Sequence, residues 1–164
     1  MVWGSIWLDA RGRARRSRLI IMESDPDARK RSYTARSYIN TLQQGLLPHY
    51  RVGRLFMHDN ASIHTARIVT TWLAEKGVTA IEWPPYSPDL NPIEHMWRAL
   101  KKRLYKYHSY LLSMGNTEEA REALCTALKT EWRRIPESFV RQLLLSMPRR
   151  LRAVRDAKGY YTKY

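Results

Sequence analysis

Thiols are almost absent: Cys125 is the one cysteine in 164 residues. No intrachain disulfide can form, and the chain suits a reducing, intracellular compartment. Cys125 follows Leu124 in an apolar helical pattern, which predicts a buried, inert thiol rather than a nucleophile. Long hydrophobic runs are also lacking. None approaches the roughly 20 residues that span a bilayer, so no membrane partner is expected. The opening Met-Val-Trp-Gly-Ser-Ile-Trp-Leu-Asp has no charged segment leading into an apolar stretch and a cleavage site, so it does not read as a signal peptide. Internal repeats, low-complexity tracts and clear linkers are missing, and residues 1–164 read as one domain. Acidic residues are scarce: 15 Asp and Glu stand against 29 Lys and Arg, leaving a formal charge of +14. Such an excess asks for an acidic partner. The 44% of hydrophobic residues are enough for a real core. Because the positive charge is spread through folded-looking segments interleaved with aromatics, nucleic acid is favoured over a membrane surface or an acidic protein.

Patterning predicts a mixed α/β chain. Val2 to Leu8 reads as a strand, Asp9-Ala10-Arg11-Gly12 as a turn leading through a basic stretch, and Arg18 to Met22 as the second strand of a hairpin. Tyr33, Ile39, Leu42 and Leu46 fall near helical spacing, predicting a helix over 34–47 capped by Ser32 or Thr34. Leu55 to His58 reads as a short strand in a sheet interior. A helix over 65–76 ends at Gly77, and Val78 to Ile81 gives another strand. Four prolines between Trp83 and Pro92 restrict φ there and the residues before them, so this connection is stiff. It delivers the chain to a helix capped by Asn91, with Pro92 at its first position and Glu94 in its first turn. Ile93, Met96, Trp97, Leu100, Leu104 and Tyr107 make the apolar stripe of that helix, and Glu94, Arg98, Lys102 and Lys106 recur on another face. A further helix starts with Asn116 and Glu119 in a capping-box arrangement and turns Ala120, Leu124, Leu128 and Trp132 inward. The last, from about Pro136 to Met147, precedes a basic tail.

Two carboxylates carry the chemistry. Asp59 closes the apolar run Leu55-Phe56-Met57, and Glu94 opens its helix, with thirty-four residues between them. Acids at a strand end and a helix start suit a site for Mg²⁺, a hard cation that needs few protein oxygens and leaves its other positions to phosphate and water. Two such ions can clamp the attacking and leaving oxygens of a phosphoryl transfer. Each acid also has a structural reading: Asp59 as a helix cap, Glu94 as a first-turn acid that complements the helix dipole and pairs with Arg98. His58 and His64 flank Asp59, yet there is no cysteine pair and no helical His-Glu-x-x-His arrangement to make a zinc site. His95 lies about 100° around the helix from Glu94 and does not read as a co-ligand.

His58-Asp59-Asn60-Ala61-Ser62-Ile63-His64, the block Trp-Pro-Pro-Tyr-Ser-Pro-Asp-Leu-Asn-Pro-Ile-Glu and the spacing between the acids together resemble the DDE catalytic domain of Tc1/mariner-type DNA transposases. The start Met1-Val2-Trp3-Gly4 and the ending from Ser146 through Tyr164 are similar to the same family. Ser62 replaces a proline common at that position. The resemblance implies an α/β, ribonuclease-H-like mixed sheet flanked by helices, with a helical C-terminal part. It makes Asp59 and Glu94 two of three metal-holding acids, and gives Asn60 and His64 supporting roles beside them. The family's first aspartate lies on a strand that precedes the Val-Trp-Gly segment, and the chain starts immediately before that segment. The expectation is therefore a domain whose first strand and first acid are missing, holding Mg²⁺ (or Mn²⁺) weakly. Asp9, beside Ala10-Arg11-Gly12, reads as a turn residue rather than a substitute acid. For intact relatives the resemblance implies Mg²⁺-dependent hydrolysis at transposon ends, then transfer of the freed 3′-hydroxyl into target DNA.

The chain as written is expected to bind DNA in a salt-sensitive way, without appreciable Mg²⁺- or Mn²⁺-dependent nicking. Transposon ends and target DNA are the implied partners, a homo-oligomer an accompanying expectation, and the nucleus the implied compartment. The alternative is a non-catalytic, domesticated remnant that binds nucleic acid or protein through its basic surface. Arg11, Arg13, Arg15, Arg16 and Arg18 form the densest charge run, joined by Arg29-Lys30-Arg31. With Arg98, Lys101 and Lys102 beside Glu94, Arg11, Arg13, Arg15 and Arg16 are the candidate phosphate contacts. The bland reading of such runs is a solvated turn. Trp3, Trp7, Trp72, Trp97 and Trp132 read as core rather than stacking platforms.

Overall fold

The structure, a computed structural model, describes residues 1–29, 32–85, 87–160 and 162. Lys30 and Arg31 of the second basic run, Tyr86 of the proline block and Tyr164 at the family-like ending lie outside the described residues. The chain gathers into two compact units, Met1–Gly4 with Ile20–Ser87, and Ser5–Leu19 with Pro88–Tyr164.

The hairpin expected from Val2 to Met22 is divided into short ladders. Its first arm forms β1 (Val2–Trp3) and β2 (Ile6–Leu8), its second β3 (Ala14–Arg16) and β4 (Ile20–Ile21). Val2 pairs with Ile21 and Trp7 with Arg15, both antiparallel, so the register slips by one residue between ladders, as in a bulge. Ser17 supplies the cause. Its hydroxyl accepts the Ser5 N–H at 3.0 Å and donates to the Arg18 carbonyl at 2.8 Å, replacing a main-chain rung. The second arm thus begins four residues earlier than the expected Arg18, and the basic stretch is itself strand.

In the first unit, α1 (Ala35–Gly45) starts at Thr34, whose hydroxyl accepts the Ser37 N–H at 3.4 Å and donates to Asp25 at 2.6 Å. Tyr38, Leu42 and Leu46 share one face by their four-residue spacing. They pack with Trp3, Ile20, Phe56, Val69, Leu73 and Val78 in one buried cluster. Each such side chain withdrawn from water contributes about 1.5–3 kcal/mol. β5 (Leu55–Phe56) pairs in parallel with β6 (Thr79–Ala80). Here the structure corrects the expected sheet interior: β5 stops at Phe56, Leu55 is 67% exposed, and both residues of β6 are exposed. Among the described residues each strand of this pair has one neighbour, so Phe56 alone is covered. The helix expected over 65–76 is α3 (Arg67–Glu75), and an unexpected short helix, α2 (Ser62–Thr65), precedes it, separated by the non-helical Ala66. Gly77, at φ +64°, ends α3 in the left-handed conformation glycine adopts cheaply.

In the second unit, α4 (Ile93–Tyr107) packs on α5 (Glu118–Arg134), with Trp97 stacked on the fully buried Trp132 at 5.1 Å. Met96 and Leu100 are buried as the stripe predicts, but Tyr107 is half exposed and Leu124 of α5 faces outward at 41% exposure. The cap of α5 is Thr117, not Asn116: its hydroxyl accepts the Ala120 N–H at 3.1 Å. α6 (Glu137–Leu145) packs against β2 and β3. The expected basic tail is instead a helix, α7 (Met147–Asp156), anchored by the buried Arg150. That guanidinium donates to the Ser146 hydroxyl at 2.8 Å and to the Asp89 carbonyl at 2.5 Å. Of the tryptophans expected in the core, Trp3 and Trp132 are buried and Trp7, Trp72 and Trp97 half-buried, and Cys125 is half-buried rather than enclosed. Among the described residues no helix is long and apolar enough to cross a membrane.

Candidate functional site

Asp59 lies just past β5, and among the described residues its carboxylate is paired with an imidazole rather than a guanidinium or ammonium. Oδ1 accepts the Ala61 N–H at 3.1 Å and sits 2.6 Å from Nδ1 of His64, while the side chain stays 56% exposed. Both bonds fall on Oδ1; neither uses Oδ2. The helix-cap reading does not hold, because Ala61 occupies the cap position of α2 without a side-chain cap bond. His64 is in turn packed on the ring of Tyr38, centroids 4.0 Å apart, and the Tyr38 hydroxyl lies 3.1 Å from Nδ1 of His58. Burial pushes the Tyr38 hydroxyl up, so it stays protonated beside that imidazole. Burial, reinforced by His64, pushes His58 down to about 4, so the imidazole is neutral at pH 7. Tyr38 was not among the inward residues expected for α1. Its spacing from Leu42 and Leu46 was the available signal.

Asn60 does not touch the carboxylate. Its Nδ2 donates to the Trp83 carbonyl at 2.7 Å, tying the loop after β5 to the start of the proline block. Further along, Asn91 Oδ1 accepts the Ile93 N–H at 3.3 Å, performing the capping expected of it although Pro92 already has helical φ and ψ. Glu94 is exposed in the first turn of α4. The neighbouring His95 is lowered by burial and then by the charges of Arg150 and Arg98.

The basic candidates divide by what already holds them. Asp9 organises the β2–β3 turn, accepting from the Arg11 and Arg13 N–H groups at 2.9 Å each and from Arg15 Nε at 3.1 Å. The turn reading of Asp9 is the one this geometry supports. Arg16 donates to the carbonyls of Ile135 and, at 2.5 Å, Arg133, capping the end of α5. Arg11 and Arg13 are exposed, as are Arg98, Lys101 and Lys102 on α4. Among the described residues there is no group of three His, Cys, Asp or Glu side chains with ligand spacing. Asp59 still fits a hard cation by its chemistry, an oxygen donor held in place on one atom with the other uncommitted.

The family model for the DDE superfamily endonuclease matches residues 15–116. The chain belongs to this family. The matched segment of the DDE domain contains Asp59, Asn60, His64, Glu94, Arg98, Lys101 and Lys102. It is 43% identical to the Tcb1 transposase of Caenorhabditis briggsae over 131 residues, 77% of this chain and 45% of that protein. Against the Tc1 transposase of Caenorhabditis elegans it is 35% identical over 164 residues, 100% of this chain and 54% of the relative. The chain therefore spans about half the length of the curated relatives it matches. In fold it is similar to the catalytic domain of the Mos1 mariner transposase, with a TM-score of 0.58 at 20% identity over 99% of this chain and 84% of the other. That structure holds the Mos1 domain with raltegravir and Mg, a second holds it with Mn, and a third similar structure is the Mos1 strand transfer complex. The DDE domain thus has the expected ribonuclease-H-like, mixed α/β fold, with its sheets reduced to short ladders and its second half helical.

Proposed function

We propose that this DDE domain is the DNA-binding and divalent-cation-binding part of a Tc1-type transposase. Asp59 and Glu94 are its cation carboxylates, and Arg11, Arg13, Arg98, Lys101 and Lys102 its phosphate contacts. The setting of Asp59 carries the reading. Two other acids of the chain are held by guanidinium groups, Asp9 by Arg15 and Glu131 by Arg103 and Arg134. Asp59 is instead steadied by an imidazole and a main-chain N–H and keeps an oxygen to offer. His64 is the positioning residue for that carboxylate, and Asn60 positions the proline block rather than water. Arg15 and Arg16 drop out as primary phosphate contacts because the turn and the end of α5 already hold them.

A bound Mg²⁺ or Mn²⁺ supplies activation of the attacking hydroxyl and neutralisation of phosphate charge. The chain's own cations hold the DNA backbone, which fixes the position of the strand without reading its sequence. The reaction served is phosphodiester hydrolysis at transposon ends followed by strand transfer into target DNA, in the nucleus, by an oligomer of the whole transposase. Fluorescence anisotropy with a random-sequence duplex tests the binding half: affinity falls steeply with salt, and Lys101→Gln with Lys102→Gln weakens it. Binding indifferent to both salt and these substitutions overturns the proposal. DNA binding accompanied by no cation binding at Asp59 selects the non-catalytic module.

A further inference from the structure

Beyond phosphate contact, α4 presents a second kind of recognition group. Positions 94, 98, 101, 102 and 105 recur at three- and four-residue intervals and share one face of a helix. All five side chains on this face of α4 are exposed. The stripe begins with the Glu94 carboxylate, continues through Arg98, Lys101 and Lys102, and ends on Tyr105, about 16 Å along the axis from Glu94. Tyr105 is 65% exposed. Among the described residues it makes no ring contact, unlike its neighbour Tyr107, whose ring lies 5.2 Å from the Arg103 guanidinium and 5.0 Å from the Lys106 ammonium. No Asp or Glu occurs between Glu94 and Glu118, so nothing anionic on this segment offsets the cations.

We propose that Tyr105 is a stacking platform for an unpaired base of single-stranded DNA whose backbone follows Arg98, Lys101 and Lys102. Charge complementarity commits the occupant to a polyanion, and the uncovered ring commits it to one that offers a free base face. Bases of an intact duplex are stacked on each other and present only edges in the grooves. An unpaired base offers its π-face, and an aromatic side chain beside a basic track takes it without regard to sequence. The platform thus selects a frayed or single-stranded end over continuous duplex. That the strand is DNA rests on the proposed function.

Fluorescence anisotropy of the full chain with labelled oligo(dT) of about 12 nucleotides, oligo(U) of equal length and a random-sequence duplex tests the platform. Tyr105→Ala lowers oligo(dT) affinity by about 5- to 150-fold, the range stacking of one base spans. It leaves duplex affinity and the thermal midpoint unchanged, and Tyr105→Phe keeps wild-type affinity for oligo(dT). An oligo(dT) affinity untouched by Tyr105→Ala, an equal loss on duplex, or an equal loss in Tyr105→Phe overturns the platform. A greater loss on oligo(U) than on oligo(dT) overturns the choice of DNA. Failure of the wild-type chain to bind duplex in a salt-dependent way overturns the proposed function itself. Salt-dependent duplex binding with a silent Tyr105→Ala overturns only the platform.

Discussion

Replacing cations one class at a time separates those that meet DNA from those that hold the fold. Of the seven basic residues singled out by the sequence, Arg15 is paired with Asp9 and Arg16 caps α5. Arg11, Arg13, Arg98, Lys101 and Lys102 are exposed. If each neutralises one phosphate, log affinity falls against log salt with a slope of about −4.5, at roughly 0.9 per contact. Between about 50 and 200 mM salt that is a loss on the order of 500-fold. Changing Arg98, Lys101 and Lys102 together to Gln reduces the slope to about −1.8 and the loss to roughly 12-fold. Arg16→Gln behaves oppositely: the slope stays, and the urea midpoint drops, because two carbonyls at the end of α5 lose their donor. Anisotropy titrations at several salt concentrations, paired with urea denaturation, measure both quantities. A triple variant with the wild-type slope, or an Arg16→Gln slope reduced as much as by a lysine substitution, refutes the division.

Two stability predictions accompany it. Burial pushes the Glu131 carboxyl up, but hydrogen bonds from His108, Arg103 and Arg134 outweigh burial and hold it below the ordinary glutamate range. Its stabilising contribution is therefore complete above the unfolded value of about 4.3 and lost as pH falls through the lower folded value. Glu131→Gln lowers stability at pH 7 by about 2–3 kcal/mol and flattens the fall of the urea midpoint below about pH 5. A variant as stable and as acid-sensitive as wild type contradicts this. Gly45→Ala places a Cβ 2.7 Å from Trp3 Cε3 and 3.1 Å from Ile20 Cγ1. Overpacking of about 1–3 kcal/mol exceeds the 0.5–1 kcal/mol that alanine gains in a helix, so a urea midpoint that falls is expected and one that rises is the contrary result.

What the sequence disclosed was what depends on neighbours along the chain. Leu42 and Leu46 lie one turn apart, the Asp9 turn closes on Arg13, and Asn91 caps from two residues away, so periodicity and local hydrogen bonding suffice to find helices, turn and cap. The motif around Asp59 and the proline block led directly to the family. Partners distant along the chain escaped. Arg16 looks like every other arginine in its run, and what takes it out of that set is a carbonyl 119 residues away. Ser17 divides the hairpin through a hydroxyl bond that alternation of apolar residues does not encode. The last helix, α7, was hidden because its charged sequence reads as tail, while its anchor is one buried arginine reaching back to Asp89. Asn60 was expected to serve the carboxylate next to it and instead holds Trp83.

The most direct test is Mn²⁺ binding by the full chain, followed by electron paramagnetic resonance and challenged with Mg²⁺, in wild type, Asp59→Asn and Glu94→Gln. The account predicts a weak site in the wild-type chain that Mg²⁺ displaces and that each substitution abolishes while the thermal midpoint stays unchanged. A wild-type chain that takes up no Mn²⁺, or a site that survives either substitution intact, contradicts it.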